Sequence, residues 1–121
     1  MPALRESKGC VVWVSSGAAT SCYTAWGAYG SSKAAAHSIT GHLAVEEPDI
    51  TSVSISPGRV DTDMQRLIRE SGDEMDQGER ATFAKAHEDG ILGSPEGVAR
   101  IYASFVTRPE RGLTGRSLKY V

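Results

Sequence analysis

The sequence predicts an α/β fold with a parallel sheet of about three strands and flanking helices. Three observations carry that expectation. Runs of strand length and strand composition occur at residues 10–15, 50–56 and 117–121. Helix-forming segments lie between them, and each passage from one run to the next is long enough for a crossover, which a hairpin does not need. The first two runs both end in turn chemistry, Ser15-Ser16-Gly17 and Ser56-Pro57-Gly58, and in open α/β sheets the carboxyl ends of strands are where ligands bind.

In chain order, residues 2–7 read as the tail of a helix, broken by Gly9 before the first strand. Residues 17–27 read as a loop carrying Cys22, Tyr23 and Trp26. The longest helix is expected over about 28–46, stopped by Glu47-Pro48, with Ile39 and Leu43 as its grip on the sheet. After the second strand, residues 63 to about 70 form a helix with Asp61 or Thr62 as its N-cap. Residues 71–93 are acidic and weakly periodic, with one helical piece at about 79–87, and resemble a mobile flap. Ser94-Pro95-Glu96 starts a last helix whose buried face is Val98, Ile101, Tyr102, Phe105 and Val106. Leu113-Thr114-Gly115 turns the chain into the final strand, 117–121.

Composition narrows the function. A chain of 121 residues, 40% hydrophobic and 23% charged, supports one modest core and one domain at most. Its 13 Lys and Arg against 15 Asp and Glu leave a net charge of -2, so nucleic acid and anionic membrane are not expected partners. No apolar run approaches the ~20 residues of a membrane span, and residues 1–8 lack the apolar core of a signal peptide, which makes the cytoplasm the expected compartment. Cys10 and Cys22 match no metal or redox spacing, and Cys10 reads as a small buried hydrophobe. His37, His42 and His87 form no ligand set, and no metal is expected.

The chemistry concentrates between Ser16 and Lys33. Tyr29 and Lys33 are four apart on the long helix, so they share a face one turn from each other, and an ammonium near a phenol favours the phenolate. A plain amphipathic helix explains Ile39 and Leu43 but supplies no reason for that pair. Tyr23 and Trp26 either wall a pocket for a planar substrate or pack on a neighbouring element. Amides behind the turn at residues 57–62 are suited to a phosphate or an amide oxygen.

Three motifs coincide with the short-chain dehydrogenase/reductase family. Tyr29-Gly30-Ser31-Ser32-Lys33 fits its Y-x-x-x-K, Ser16 stands thirteen residues before the tyrosine, and Pro57-Gly58-x-x-x-Thr62 fits its P-G-x-x-x-T. The segments V-S-S-G-A, W-G-A-Y-G-S-S-K, V-E-E-P, P-G-R-V-D-T-D-M-Q and L-K-Y are similar to its sepiapterin reductase and benzil reductase branch. The resemblance implies the C-terminal half of a Rossmann-type, doubly wound parallel sheet. It also implies an NADPH-dependent carbonyl reductase acting on a dicarbonyl or pterin-like compound, with NAD(H) as the other cofactor open to it. Tyr29 would be the acid, Lys33 would tune it and hold the nicotinamide ribose, and Ser16 would bind the carbonyl. Pro57, Gly58, Val60 and Thr62 would position the cofactor, Gly17, Tyr23 and Trp26 would face substrate, and a homo-oligomer would form through the Tyr29–Lys33 helix.

The chain departs from the family's pattern in one large respect. The glycine-rich turn T-G-x-x-x-G-x-G that seats a pyrophosphate does not occur in the sequence, nor does the catalytic asparagine. Residues 1–121 therefore read as a partial NAD(P)-binding domain carrying Ser16, Tyr29 and Lys33, with the N-terminal half missing and one edge of the first strand bare. Two readings stand: a carbonyl reductase represented by its catalytic half, and a truncated, inactive fragment that serves at most as a dimerisation or interaction module.

Overall fold

A computed structural model describes residues 1–120; Val121, the expected end of the last strand, lies outside the described residues. Strands β1 (Cys10–Val14), β2 (Thr51–Ser56) and β3 (Ser117–Lys119) form one parallel sheet in that order. Helix α1 (Pro2–Ser7) precedes β1, α2 (Gly27–Glu46) links β1 to β2, and α3 (Asp63–Ser71), α4 (Gln77–Glu88) and α5 (Pro95–Thr107) link β2 to β3. The expected α/β architecture is the observed one. Parallel strands require crossovers, and both here are helical.

The register of β1 on β2 pairs Cys10 with Thr51 and Val14 with Ile55. The first strand stops one residue earlier than expected, yet the Ser15 N–H still donates to the Ile55 carbonyl at 2.9 Å. That carbonyl also accepts the Tyr102 hydroxyl of α5 at 2.7 Å. One backbone oxygen therefore joins the ends of two strands to a helix.

Burial is distributed differently from the apolar pattern. The polar-looking strand β2 is the core, with Thr51, Ser52, Val53, Ser54 and Ile55 all buried, whereas apolar β1 is half-buried. Position explains this: β2 lies between two strands and under α2, while β1 is an edge among the described residues. Several polar groups of β2 find partners in β3 and the segment leading to it, while the buried Thr51 Oγ1 and Ser52 Oγ have none among the described residues. Ser54 shares a hydroxyl hydrogen bond with Ser117 at 2.6 Å, the Ser52 N–H donates to the Thr114 hydroxyl at 3.0 Å, and the Gly115 N–H donates to the Ser52 carbonyl at 2.7 Å.

Three expectations about helices are corrected. In α2 the inward positions are Thr40 and Leu43, while Ile39 is 44% exposed. Thr40 is tolerated there because its hydroxyl donates to the Ala36 carbonyl at 2.9 Å. In α5 the row Val98, Ile101, Tyr102 and Phe105 is half-buried, but Val106 lies past the edge of that row and is 48% exposed. Residues 71–93 are not a loose flap. Asp76 caps α4 by accepting the Glu79 N–H, Met75, Phe83 and Ala86 are buried, and Arg80 bonds the Arg69 carbonyl and pairs with Asp73 at 2.9 Å.

Two substitutions test this core. Val53→Ala opens a void in a fully buried strand position and should cost about 2–3 kcal/mol in chemical denaturation; a cost under about 0.5 kcal/mol would show that β2 is not the core. Burial pushes the Tyr102 hydroxyl from its ordinary value near 10 up to about 12. The unfolded chain ionises first, so this contribution is fully present below about pH 10 and is lost as pH rises toward 12. Tyr102→Phe should flatten that alkaline loss of stability, at a neutral-pH cost of about 0.5–1.5 kcal/mol for the hydrogen bond. An unchanged alkaline slope would contradict it.

Candidate functional site

The carboxyl ends of the strands open into a cleft of about 690 Å³. Every residue that the sequence nominated lines it: Ser16, Gly17, Tyr23, Trp26, Tyr29 and Lys33 from the β1 side, and Pro57, Gly58, Val60 and Thr62 from the β2 side.

Local backbone rules explain how they converge. Ser16 caps a short 3-10 turn, Gly17–Ala19, with its Oγ accepting the Ala18 N–H at 3.2 Å. Helix α2 then packs back on this turn so closely that a Cβ at Gly30 would meet the Ala18 carbonyl at 3.0 Å. Glycine beside Tyr29 is thus what lets the tyrosine helix approach the serine turn. Lys33 donates from Nζ to the Val14 carbonyl at 3.0 Å, and the same Nζ stands 5.6 Å from the centre of the Tyr29 ring. The shared face of Tyr29 and Lys33 is observed, and the ammonium also caps the end of β1.

The Pro57-Gly58 turn needs glycine for a different reason, a φ of +75°. Beyond it, Gly93 donates to the Arg59 carbonyl at 2.8 Å and accepts the Asp61 N–H at 2.9 Å, pairing Val60 with Gly93. This leaves the Val60 N–H without a protein partner among the described residues. Thr62 occupies the N-cap position of α3 as expected, but its hydroxyl donates to the Val60 carbonyl at 3.3 Å and caps no amide.

An aromatic wall stands opposite. Trp26 touches Tyr23, Tyr29 and Phe83, with ring centres 5.1, 5.4 and 5.6 Å apart respectively. Trp26 packs on Phe83 of α4, as one sequence reading expected, and both rings also line the cleft. The loop is under local strain, with Ala25 at φ +65° just before Trp26. Two polar links hold α4 to this wall: the Thr24 N–H donates to Glu79 at 3.1 Å, and Arg59 donates to the Thr82 carbonyl and hydroxyl at 2.7 and 2.8 Å. The Arg59 guanidinium also lies 4.1 Å from the centre of the Phe83 ring.

Sequence reasoning missed Arg59, Gln65, Phe83, Tyr102, Lys119 and Tyr120, which also line the cleft. Gln65 is buried, and its Oε1 has no partner among the described residues. A glutamine following P-G-R-V-D-T-D-M offers no periodic signal, and Phe83 and Lys119 reach the cleft from segments distant in the chain.

Comparison with known proteins follows the same lines. The family model for short chain dehydrogenase matches residues 1–73. A benzil reductase ((S)-benzoin forming) of Saccharomyces cerevisiae is 37% identical over 99% of this chain and 48% of its own length. A sepiapterin reductase of Rattus norvegicus is 40% identical over 68% of this chain and 30% of its own. The crystal structure of the KRED1-Pglu enzyme superposes with a TM-score of 0.93 at 47% identity, covering 96% of this chain and 49% of that one. The chain spans about half the length of the first relatives that it matches nearly throughout. With a parallel Rossmann-like sheet, a family match over more than half its residues and the serine, tyrosine and lysine gathered at the strand ends, the chain belongs to the short chain dehydrogenase family of oxidoreductases.

Proposed function

We propose that this chain carries the catalytic half of an NADPH-dependent carbonyl reductase acting on a dicarbonyl or another planar carbonyl compound. The observation that carries the reading is the convergence of Ser16, Tyr29 and Lys33 with the 57–62 turn in one cleft. In this reading Tyr29 gives a proton to the carbonyl oxygen as the carbonyl carbon is reduced, and Ser16 holds that oxygen by turning its hydroxyl from the Ala18 amide. Lys33 steadies Tyr29 and holds a ribose. Gly17, Tyr23 and Trp26 supply the surface for a flat substrate.

The residues fit a nicotinamide cofactor at its reactive end. The unpartnered Val60 N–H would donate to a carboxamide oxygen, with Pro57 and Gly58 shaping the turn and Thr62 beside it. NADPH supplies the hydride when bound; the chain contributes orientation and proton delivery. The pyrophosphate and adenosine contacts belong to a half of the domain for which this sequence has no motif. Exposed Ile39 and Val45 on α2 support a homo-oligomer through that helix, and the second reading, an inactive interaction module, is favoured for residues 1–121 by themselves because they carry no motif for the pyrophosphate and adenosine contacts.

Two experiments test this. Joined to the N-terminal half of a benzil reductase, the chain should reduce benzil with NADPH, and Tyr29→Phe should lower kcat by about 100-fold or more. A variant keeping most of its rate would remove Tyr29 from the role of acid. Residues 1–121 alone should show no saturable NADPH binding at low micromolar concentration, because several charge-assisted hydrogen bonds of about 1.5–3 kcal/mol each are missing. Saturable enhancement of NADPH fluorescence, abolished by Lys33→Ala, would overturn that and show that the half-domain or its self-assembly forms a complete site.

A further inference from the structure

The cleft has a one-sided charge. Lys33, Arg59 and Lys119 line it, and no Asp or Glu does, although carboxylates outnumber Lys and Arg in the chain 15 to 13. The carboxylates closest in sequence are directed elsewhere. Asp61 lines a separate small pocket with His87, Asp63 pairs with Arg66 at 3.2 Å, and Glu79 accepts the Thr24 N–H. Two of the three cations are already engaged, Lys33 with the Val14 carbonyl and Arg59 with Thr82. Lys119 alone has no hydrogen-bond or ion-pair partner among the described residues.

Its position is fixed by the sheet. Lys119 is in register with Ser56, the residue before Pro57, and the next residue locks that pairing as the Tyr120 N–H donates to the Ser56 carbonyl at 2.9 Å. Lys33 serves the end of β1 and Lys119 the end of β3, two strand spacings apart, or roughly 10 Å. In a cleft with largely apolar walls and no Asp or Glu among the described residues that line it, Lys119 contributes positive charge on the β3 flank, away from Tyr29.

We infer that Lys119 is a specificity-determining residue that reads an anionic group on the carbonyl substrate, several bonds from the carbonyl being reduced. The inference rests on the carbonyl-reductase reading and names its substrate class: an aryl ketone bearing a remote carboxylate. A 2-oxo acid does not fit, because its carboxylate adjoins the carbonyl and would sit at the β1 end with Tyr29. The phosphates of a dinucleotide are the other source of negative charge, and the experiment separates the two.

The test is an NMR titration of the chain joined to the N-terminal half of a benzil reductase, with NADP+ present, using 5-oxo-5-phenylpentanoate and its methyl ester, which differ in the charge and one methyl group. The acid should bind about three- to fivefold more tightly than the ester, the scale of a solvent-accessible ion pair, and the preference should shrink at high salt. Lys119→Ala should abolish it, Lys119→Glu should invert it and Lys119→Arg should retain it. A preference unchanged in Lys119→Ala, or ester binding as tight as the acid, overturns the inference and leaves the carbonyl reading intact. Binding of neither compound overturns the carbonyl reading and the inference with it. In a parallel titration, NADPH binding weakened by Lys119→Ala while the acid preference persists would assign the cation to the cofactor and overturn the inference.

Discussion

The register of β1 on β2 is the constraint on which the rest of the molecule depends. Because Val14 pairs with Ile55, the two strands end at the same height and their turns, beginning at Ser15 and Pro57, open side by side. A shift of one residue would flip every side chain of β1 to the other face and separate the serine from the proline-glycine turn. The Ile55 carbonyl records this constraint in a single atom, since it accepts the Ser15 N–H from β1 and the Tyr102 hydroxyl from α5. The floor of the cleft is therefore tied to both a strand and a helix before any side chain of the site is placed.

From that floor the site is assembled by close approach rather than by side-chain pairing. Ser16 and Tyr29 are brought together because Gly30 lets α2 press on the Ala18 carbonyl, and Lys33 is held by the backbone of β1. The serine hydroxyl meanwhile satisfies a backbone amide. Such an arrangement keeps polar groups bonded in the free protein while leaving them able to exchange partners with a ligand.

The opposite wall is built from α4, and its links are local. Arg59 leaves the proline-glycine turn, forks onto Thr82 and lies against Phe83, which in turn touches Trp26. The proline-glycine turn and the aromatic rings of the cleft are thus joined through one guanidinium. A shift of α4 would be felt at both, which gives the acidic segment a structural part in the site that its composition conceals.

The sequence by itself determined the element order, the parallel sheet and the residues of the cleft's two inner sides. Strand length, crossover length and the spacing of Ser16, Tyr29 and Lys33 are local properties, and local rules read them. The tertiary structure alone decided burial and the far wall. Serine- and threonine-rich β2 is the core because it lies between two strands, and apolar β1 is half-buried because it lies at an edge, so position overrode composition. Thr40 in place of Ile39 faces the sheet because the hydroxyl finds a carbonyl within its own helix and the approach of α2 sets its rotation. Phe83, Tyr102 and Lys119 reach the cleft from positions 54 to 90 residues beyond Tyr29. No periodicity along the chain encodes a meeting that depends on where three separate elements end in space.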